Sequence, residues 1–131
     1  MKSFSIKNGT RQPLQRVPFS RIAEKVLGPS YELSLVFVGD TRMRTLNHSY
    51  RGKDTTTDIL AFPLSKSSGE IFISQNEAAK KSKKFSLTEK QYIAYVFIHG
   101  LLHLKGMEHG RTMERHEDTW CKKFKIPAPK R

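Results

Sequence analysis

The feature that most constrains the fold is a long apolar pattern that ends in histidines. Residues 86–104 predict the longest helix of the chain, about 28 Å at roughly 1.5 Å per residue. His99 and His103 stand four residues apart, so on a helix both imidazoles project from one face. Gly106 can end the helix and turn the chain back. His109 would then approach the same point in space from the opposite side.

Three neutral imidazoles predict a metal site that leaves a fourth position to water, which is typical of a catalytic zinc site. Three of the five histidines lie in this one segment. That clustering favours one Zn²⁺ per chain over a histidine-rich helix end facing solvent, although three imidazoles also suit nickel, copper or iron. Zinc proteases of the H-E-x-x-H type carry a glutamate where this chain has Gly100, so peptide hydrolysis is disfavoured.

The charge balance predicts a polyanionic partner. The chain has 24 Lys and Arg residues against 12 Asp and Glu, a net charge of +12. Nucleic acid is favoured over an anionic membrane, because no amphipathic helix with an aromatic-rich apolar face stands out. The densest basic run is a candidate RNA-binding surface, with a solvated helix face as the alternative: Lys80, Lys81, Lys83 and Lys84. A second run follows at Lys122, Lys123, Lys125, Lys130 and Arg131.

Cysteine usage and hydropathy bear on the compartment. Cys121 is the single cysteine, which fits a reducing environment. No apolar run resembles a signal peptide or approaches the roughly 20 residues of a membrane span. We therefore expect a cytoplasmic protein that does not enter a membrane, and at 131 residues we expect one domain over 1–131.

The hydrophobic patterning alternates between strands and helices, and predicts an α+β (mixed α/β) fold. We expect one mixed sheet of about four strands covered by helices, with the metal site at the C-terminal end of a central helix. Strands are predicted around 4–6, at 31–38, at 58–62 and at 69–74. Helices are predicted from Pro18 to Leu27, at 41–48, from a cap at Ser74, from a cap at Ser86 to Leu104, and at 112–124. Residues 49–57 are expected to form a loop, and His116 to pack partly buried on the last helix.

The histidine segment and two further motifs together resemble the YbeY family of bacterial endoribonucleases. The motifs are Leu46-Asn47-His48-Ser49-Tyr50-Arg51-Gly52-Lys53-Asp54 and Thr57-Asp58-Ile59-Leu60-Ala61-Phe62-Pro63, and the likeness continues into Gly69-Glu70-Ile71-Phe72-Ile73-Ser74. It covers the central half to two-thirds of the chain in the right order. Two departures concern hydroxyl groups: Met107-Glu108 replaces the family's Tyr-Asp, and Ala61 replaces its Ser.

This resemblance implies a metal-dependent, single-strand-specific endoribonuclease, a hydrolase acting in ribosomal RNA maturation and ribosome quality control. It implies His99, His103 and His109 as zinc ligands and Arg51 as a further functional residue. The planar guanidinium of Arg51 suits a phosphate better than an ammonium would. The alternative for Arg51 is a surface ion pair with Asp54 or Asp58.

The general base and the nucleophile stay open at this point. Asp58, Glu70, Glu108 and His48 are candidates for a base or for a group that orients a metal ligand. The nucleophile is either a water activated at the metal or the 2′-hydroxyl of the RNA.

Three functions remain in competition. The first is the endoribonuclease. The second is a non-catalytic RNA-binding factor of ribosome assembly with a structural metal. Beside ribosomal RNA, the ribosome and its proteins are the further partners that we expect. The third is a metal hydrolase of small substrates, which the net charge disfavours.

Overall fold

The computed structural model describes residues 1 and 3–129. Its strands are β1 (Ser3–Asn8), β2 (Glu32–Phe37), β3 (Ile59–Ser65) and β4 (Ser68–Ile73). Its helices are α1 (Phe19–Leu27), α2 (Asp40–Arg51), α3 (Gln75–Lys84), α4 (Glu89–Leu104) and α5 (Arg111–Lys123). The predicted α+β class is confirmed. Lys130 and Arg131 of the second basic run lie outside the described residues.

The four strands form one mixed sheet in the order β1-β2-β4-β3. β1 and β4 both run parallel to β2, whereas β3 runs antiparallel to β4. β3 is therefore an edge strand with one side of its backbone unpaired within the sheet. Residues of β3 also form one wall of a cleft.

Alternation along the strands directs two apolar sets to opposite faces of the sheet. On one face α4 packs against Leu35, Ile71 and Ile73, and α1, α3 and α5 pack against α4 in turn. On the other face α2 contributes Met43 and Leu46 to a smaller core with Val38 and Leu60. Three partly buried side chains of the sheet pack against it: Val36, Phe62 and Phe72. Ten of the sixteen residues of α4 are buried, which explains its nearly continuous apolar sequence and confirms its central place.

Two predicted boundaries were wrong for identifiable reasons. Pro63 does not stop β3, because an edge strand tolerates a residue without an N–H. α2 continues through Arg51 instead of stopping at His48, and Gly52 ends it in the left-handed conformation with φ 68°.

Two further predictions fail on local geometry. The cap of α4 is Thr88, not Ser86: Thr88 and Gln91 form a reciprocal capping box, whereas Ser86 has φ 57° and cannot take the extended conformation of a cap. His116 is exposed and does not pack in the core. The cap at Ser74 is confirmed, since its hydroxyl accepts a hydrogen bond from the Glu77 N–H.

Candidate metal centre and cleft

The three histidines of the segment 99–109 converge. His99 and His103 present their Nε2 atoms 3.1 Å apart on one face of α4. Gly106 takes φ 93° and reverses the chain after the helix. The ring centroid of His109 then lies 4.9 Å from that of His99 and 4.7 Å from that of His103. One ligand nitrogen from each ring lies within 4.8 Å of the others, so the three can hold one metal ion.

Two of the rings have a second partner that orients them. Nδ1 of His103 donates a hydrogen bond to the Met107 carbonyl at 3.0 Å, within the turn that follows α4. Nδ1 of His99 donates to the carboxylate of Glu117 on α5. Each bond leaves Nε2 as the unprotonated, lone-pair-bearing nitrogen that a metal requires. The donor set therefore fits a divalent metal ion.

Burial and like charge keep His103 in the form that binds metal. Burial is the largest cause that lowers the pKa of His103, and the neighbouring imidazoles of His99 and His109 lower it further. A lowered pKa favours the neutral ring at neutral pH, which is the ligand form.

Glu117 is a component that the sequence reasoning missed. It is 2% exposed, and its second oxygen accepts a hydrogen bond from the Tyr95 hydroxyl at 3.1 Å. One signal was present: Glu117 follows Met113 by four residues and precedes Trp120 by three, so a carboxylate stands on the apolar face of α5. An acidic residue on such a face needs a buried partner.

Gly100 serves packing, which explains why a glutamate is absent from that position. A Cβ atom on Gly100 would lie 2.6 Å from Cδ1 of Ile59 and 3.3 Å from Cδ1 of Ile71. The bare backbone lets α4 approach the sheet closely at the turn that carries His99. A Cβ atom here would point at the sheet.

A cleft of about 670 Å³ runs from the histidines along β3 to the end of α2. The three histidines and Arg51 all line it, although Arg51 and His99 are 48 positions apart in sequence. Arg51 is exposed at the last position of α2. The structure thus places the predicted histidine cluster and the predicted arginine in one cleft.

The ion pairs considered as alternatives for Arg51 go to other residues. Both oxygens of Asp54 accept hydrogen bonds from Arg44, at 2.9 and 3.0 Å. Asp58 accepts a hydrogen bond from the Tyr92 hydroxyl at 2.7 Å and pairs with Lys81 at 3.2 Å. Within residues 3–129, neither carboxylate forms an ion pair with Arg51.

Of the four candidate bases, two line the cleft and two do not. Asp58 and Glu108 line the cleft, Asp58 being 4% exposed and Glu108 exposed. His48 is exposed on α2 and is not among the residues that line the cleft; neither is Glu70 on β4.

Of the four lysines in the run 80–84, one lines the cleft and three do not. Lys81 lines the cleft. Lys80 pairs with Glu77 at 3.1 Å, while Lys83 and Lys84 are exposed near the end of α3 and do not line the cleft. Of the four predicted RNA-binding lysines, Lys81 therefore lines the same cleft as the three imidazoles and Arg51.

Fold and site together define an α+β protein whose three imidazoles can hold a metal ion at one end of an open cleft. The family model described as Endoribonuclease YbeY matches residues 2–125. The chain belongs to that family. This finding confirms the resemblance that the three motifs indicate.

Individual relatives agree with the family model. The chain is 31% identical over 115 residues to "Endoribonuclease YbeY" of Alkaliphilus metalliredigens, which covers 79% of this chain and 74% of the relative. It is 29% identical over 117 residues to the protein of the same name from Geobacter sulfurreducens, covering 79% and 78%. Against the relative from Alkaliphilus oremlandii it is 37% identical over 89 residues, and that match spans 59% of the relative's length.

A solved structure has the same fold. The solution structure of TM1509 from Thermotoga maritima superposes with a TM-score of 0.67 at 22% identity, covering 93% of this chain and 91% of that one. None of the helices in the part of the chain that the structure describes has the length and hydrophobicity of a membrane-spanning segment.

Proposed function

We propose that this chain is a metal-dependent endoribonuclease that hydrolyses single-stranded RNA. The observation that carries the proposal is that three convergent imidazoles and an exposed arginine line one open cleft. A buried structural site would have no need of such access. The name shared by the relatives supports the same reaction.

We assign the metal to His99, His103 and His109, and the donor set favours Zn²⁺. When bound there, the ion would supply Lewis-acid polarisation of a phosphoryl oxygen and a lowered pKa for a water molecule. Glu117 and the Met107 carbonyl hold two of the rings in orientation. The side chain of Arg51 donates hydrogen bonds to the scissile phosphate and offsets the charge that develops on it.

Two acidic residues of the cleft have different parts in this proposal. Asp58 is engaged by Tyr92 and Lys81, so it anchors Lys81 at the cleft wall. Glu108 is exposed beside His109 and is the carboxylate that can exchange a proton with a reacting water.

The biological setting that we propose is ribosomal RNA maturation and ribosome quality control, in the cytoplasm and in contact with the ribosome or its proteins. The net charge of +12 supports a polyanionic substrate. Phosphate contacts of this type position RNA without reading its bases, so a partner or RNA structure would select the site of cleavage.

Metal analysis combined with a cleavage assay tests the function. We expect purified protein to hold about one zinc per chain, to cleave single-stranded RNA and to spare duplex RNA. His103→Ala should lose both metal and cleavage. Ile6→Ala, an exposed residue on β1 at the other edge of the sheet, is the control and should retain both.

Metal at full occupancy with no cleavage of any RNA would contradict the proposal. A non-catalytic RNA-binding factor would then be the better description, particularly if metal removal unfolded the protein.

A further inference from the structure

Two aromatic side chains, the exposed Tyr50 and the partly buried Phe62, lie in contact at the Arg51 end of the cleft. Tyr50 is 65% exposed although it is a large aromatic residue. Its ring centroid lies 4.5 Å from that of Phe62, which itself lines the cleft. Phe62 is supported from behind by Phe72, with ring centroids 5.8 Å apart. The Tyr50 ring is therefore held by a second ring while most of its surface faces solvent.

Packing alone does not account for this arrangement. The buried residues of the smaller core are Val38, Met43, Leu46 and Leu60, and Phe62 packs partly buried against them. Tyr50 adds little buried area there. An aromatic surface left open beside a cleft is typical of a ligand-binding site.

The charges around the pair indicate the class of ligand. Arg51 follows Tyr50 in sequence and lines the cleft, and Lys53 is exposed two residues later. The nearby carboxylate of Asp54 is engaged by Arg44. An open ring beside a cleft, followed in sequence by one cation that lines the cleft and a second that is exposed, is a combination with which proteins bind single-stranded nucleic acid: the ring stacks on a base and the cations contact phosphates.

We propose that Tyr50, backed by Phe62, stacks on one base of the RNA strand that the cleft holds. The base belongs to a nucleotide next to the phosphate contacted by Arg51. A stacked base must be unpaired, so this subsite would select single strands over duplexes. The inference rests on the proposed function, because it takes RNA as the occupant of the cleft.

Fluorescence anisotropy with a short labelled single-stranded RNA tests the subsite, with electrophoresis after each reading to verify that the RNA is intact. Tyr50→Ala should weaken binding by about 5- to 100-fold, the range for loss of one base–aromatic stack. Tyr50→Phe retains the ring and should stay within about twofold of the unmodified protein, since stacking does not need the hydroxyl. The slope of log affinity against log salt should not change, because no phosphate contact is removed. Ile6→Ala is the matched control for an exposed apolar residue far from the cleft and should bind like the unmodified protein.

Abasic nucleotides placed one at a time along the RNA give a sharper test. The unmodified protein should lose affinity at one position in particular, and Tyr50→Ala should lose little more at that position. If the unmodified protein binds RNA and Tyr50→Ala binds it equally well, the subsite is wrong while the proposed function stands, and the pair is better assigned to a protein partner. If the unmodified protein has no affinity for single-stranded RNA, both proposals fail.

Discussion

The two ends of the cleft differ in how their functional groups are held. At the histidine end, His99 and His103 each have a second partner, and one of these partners comes from a different helix. At the other end, Arg51 is an exposed side chain at a helix terminus. The first arrangement fixes geometry before any ligand arrives, as a metal requires. The second does not fix the guanidinium, which in the function proposed above would adjust to a phosphate, a larger ligand of variable position.

The largest effect is expected at the adjustable end. Arg51→Ala should lower the kcat for RNA cleavage by about 100-fold or more, because it removes donors to the charge that develops on the phosphate. Zinc content should be unchanged, since Arg51 is not one of the converging groups. Arg51→Lys should recover only part of the rate, because an ammonium cannot form the bidentate contact. Loss of zinc in Arg51→Ala would show that the two ends are not independent.

The second prediction concerns the fixed end. Glu117→Gln removes the carboxylate charge that orients the His99 ring, while the glutamine side chain has nearly the same shape as the glutamate. We expect zinc affinity to fall by about 10- to 100-fold, the usual cost of losing such a partner. Competition with a chromophoric chelator measures this without reference to activity.

Glu32→Gln makes the same change at an exposed carboxylate on β2, outside this site, and serves as the control for Glu117→Gln. Unchanged zinc affinity in Glu117→Gln would mean that the contact serves the packing of α5 on α4 only.

The two ends of the cleft also differ in how much of their geometry the sequence predicts. The convergence of the histidines depends on residues within one segment of eleven, and the helical repeat with a turning glycine is enough to predict it. The roles of Glu117 and Arg51 depend on contacts between elements far apart in the chain. Spacing carries no information about such contacts, so Glu117 was missed and Arg51 was proposed only through family resemblance.

The error at the start of α4 has a local cause. Ser86-x-x-Glu89 and Thr88-x-x-Gln91 are equally good capping signatures. The choice depends on how α3 ends: the Leu87 N–H donates to the Ser82 carbonyl, which continues the turn after α3 through Ser86. This hydrogen bond is local, but neither capping signature reports it.

A third prediction tests the close approach of α4 to the sheet. Gly100→Glu would recreate the H-E-x-x-H spacing, but we expect it to lower the free energy of unfolding by about 2 kcal/mol or more, since a charged side chain would enter a buried contact with Ile59. No peptidase activity should appear. Urea denaturation monitored by circular dichroism gives the stability, and Ser49→Glu on exposed α2 surface is the control, expected within about 0.5 kcal/mol of the unmodified protein. Unchanged stability in Gly100→Glu would contradict the packing role.

The smallest effect is expected within the lysine run. Lys81→Ala and Lys84→Ala make the same chemical change on α3, but only the first alters the cleft. Lys81→Ala should weaken single-stranded RNA binding a few-fold and reduce the salt slope by about 0.7, the value for one phosphate contact. Lys84→Ala should change both quantities less. Equal losses would indicate that the whole run acts as a diffuse electrostatic surface.

The proline in β3 affects how readily two copies of the protein could pair through this strand. An unpaired strand edge invites pairing with a strand of another molecule. Pro63 lacks the N–H that such pairing needs, and the register with β4 shifts between Pro63 and Ser65, which interrupts a regular ladder. The wall of the cleft is thereby a poor template for intermolecular β-sheet growth. The strand edge beside the cleft is thus protected from the addition of a further strand.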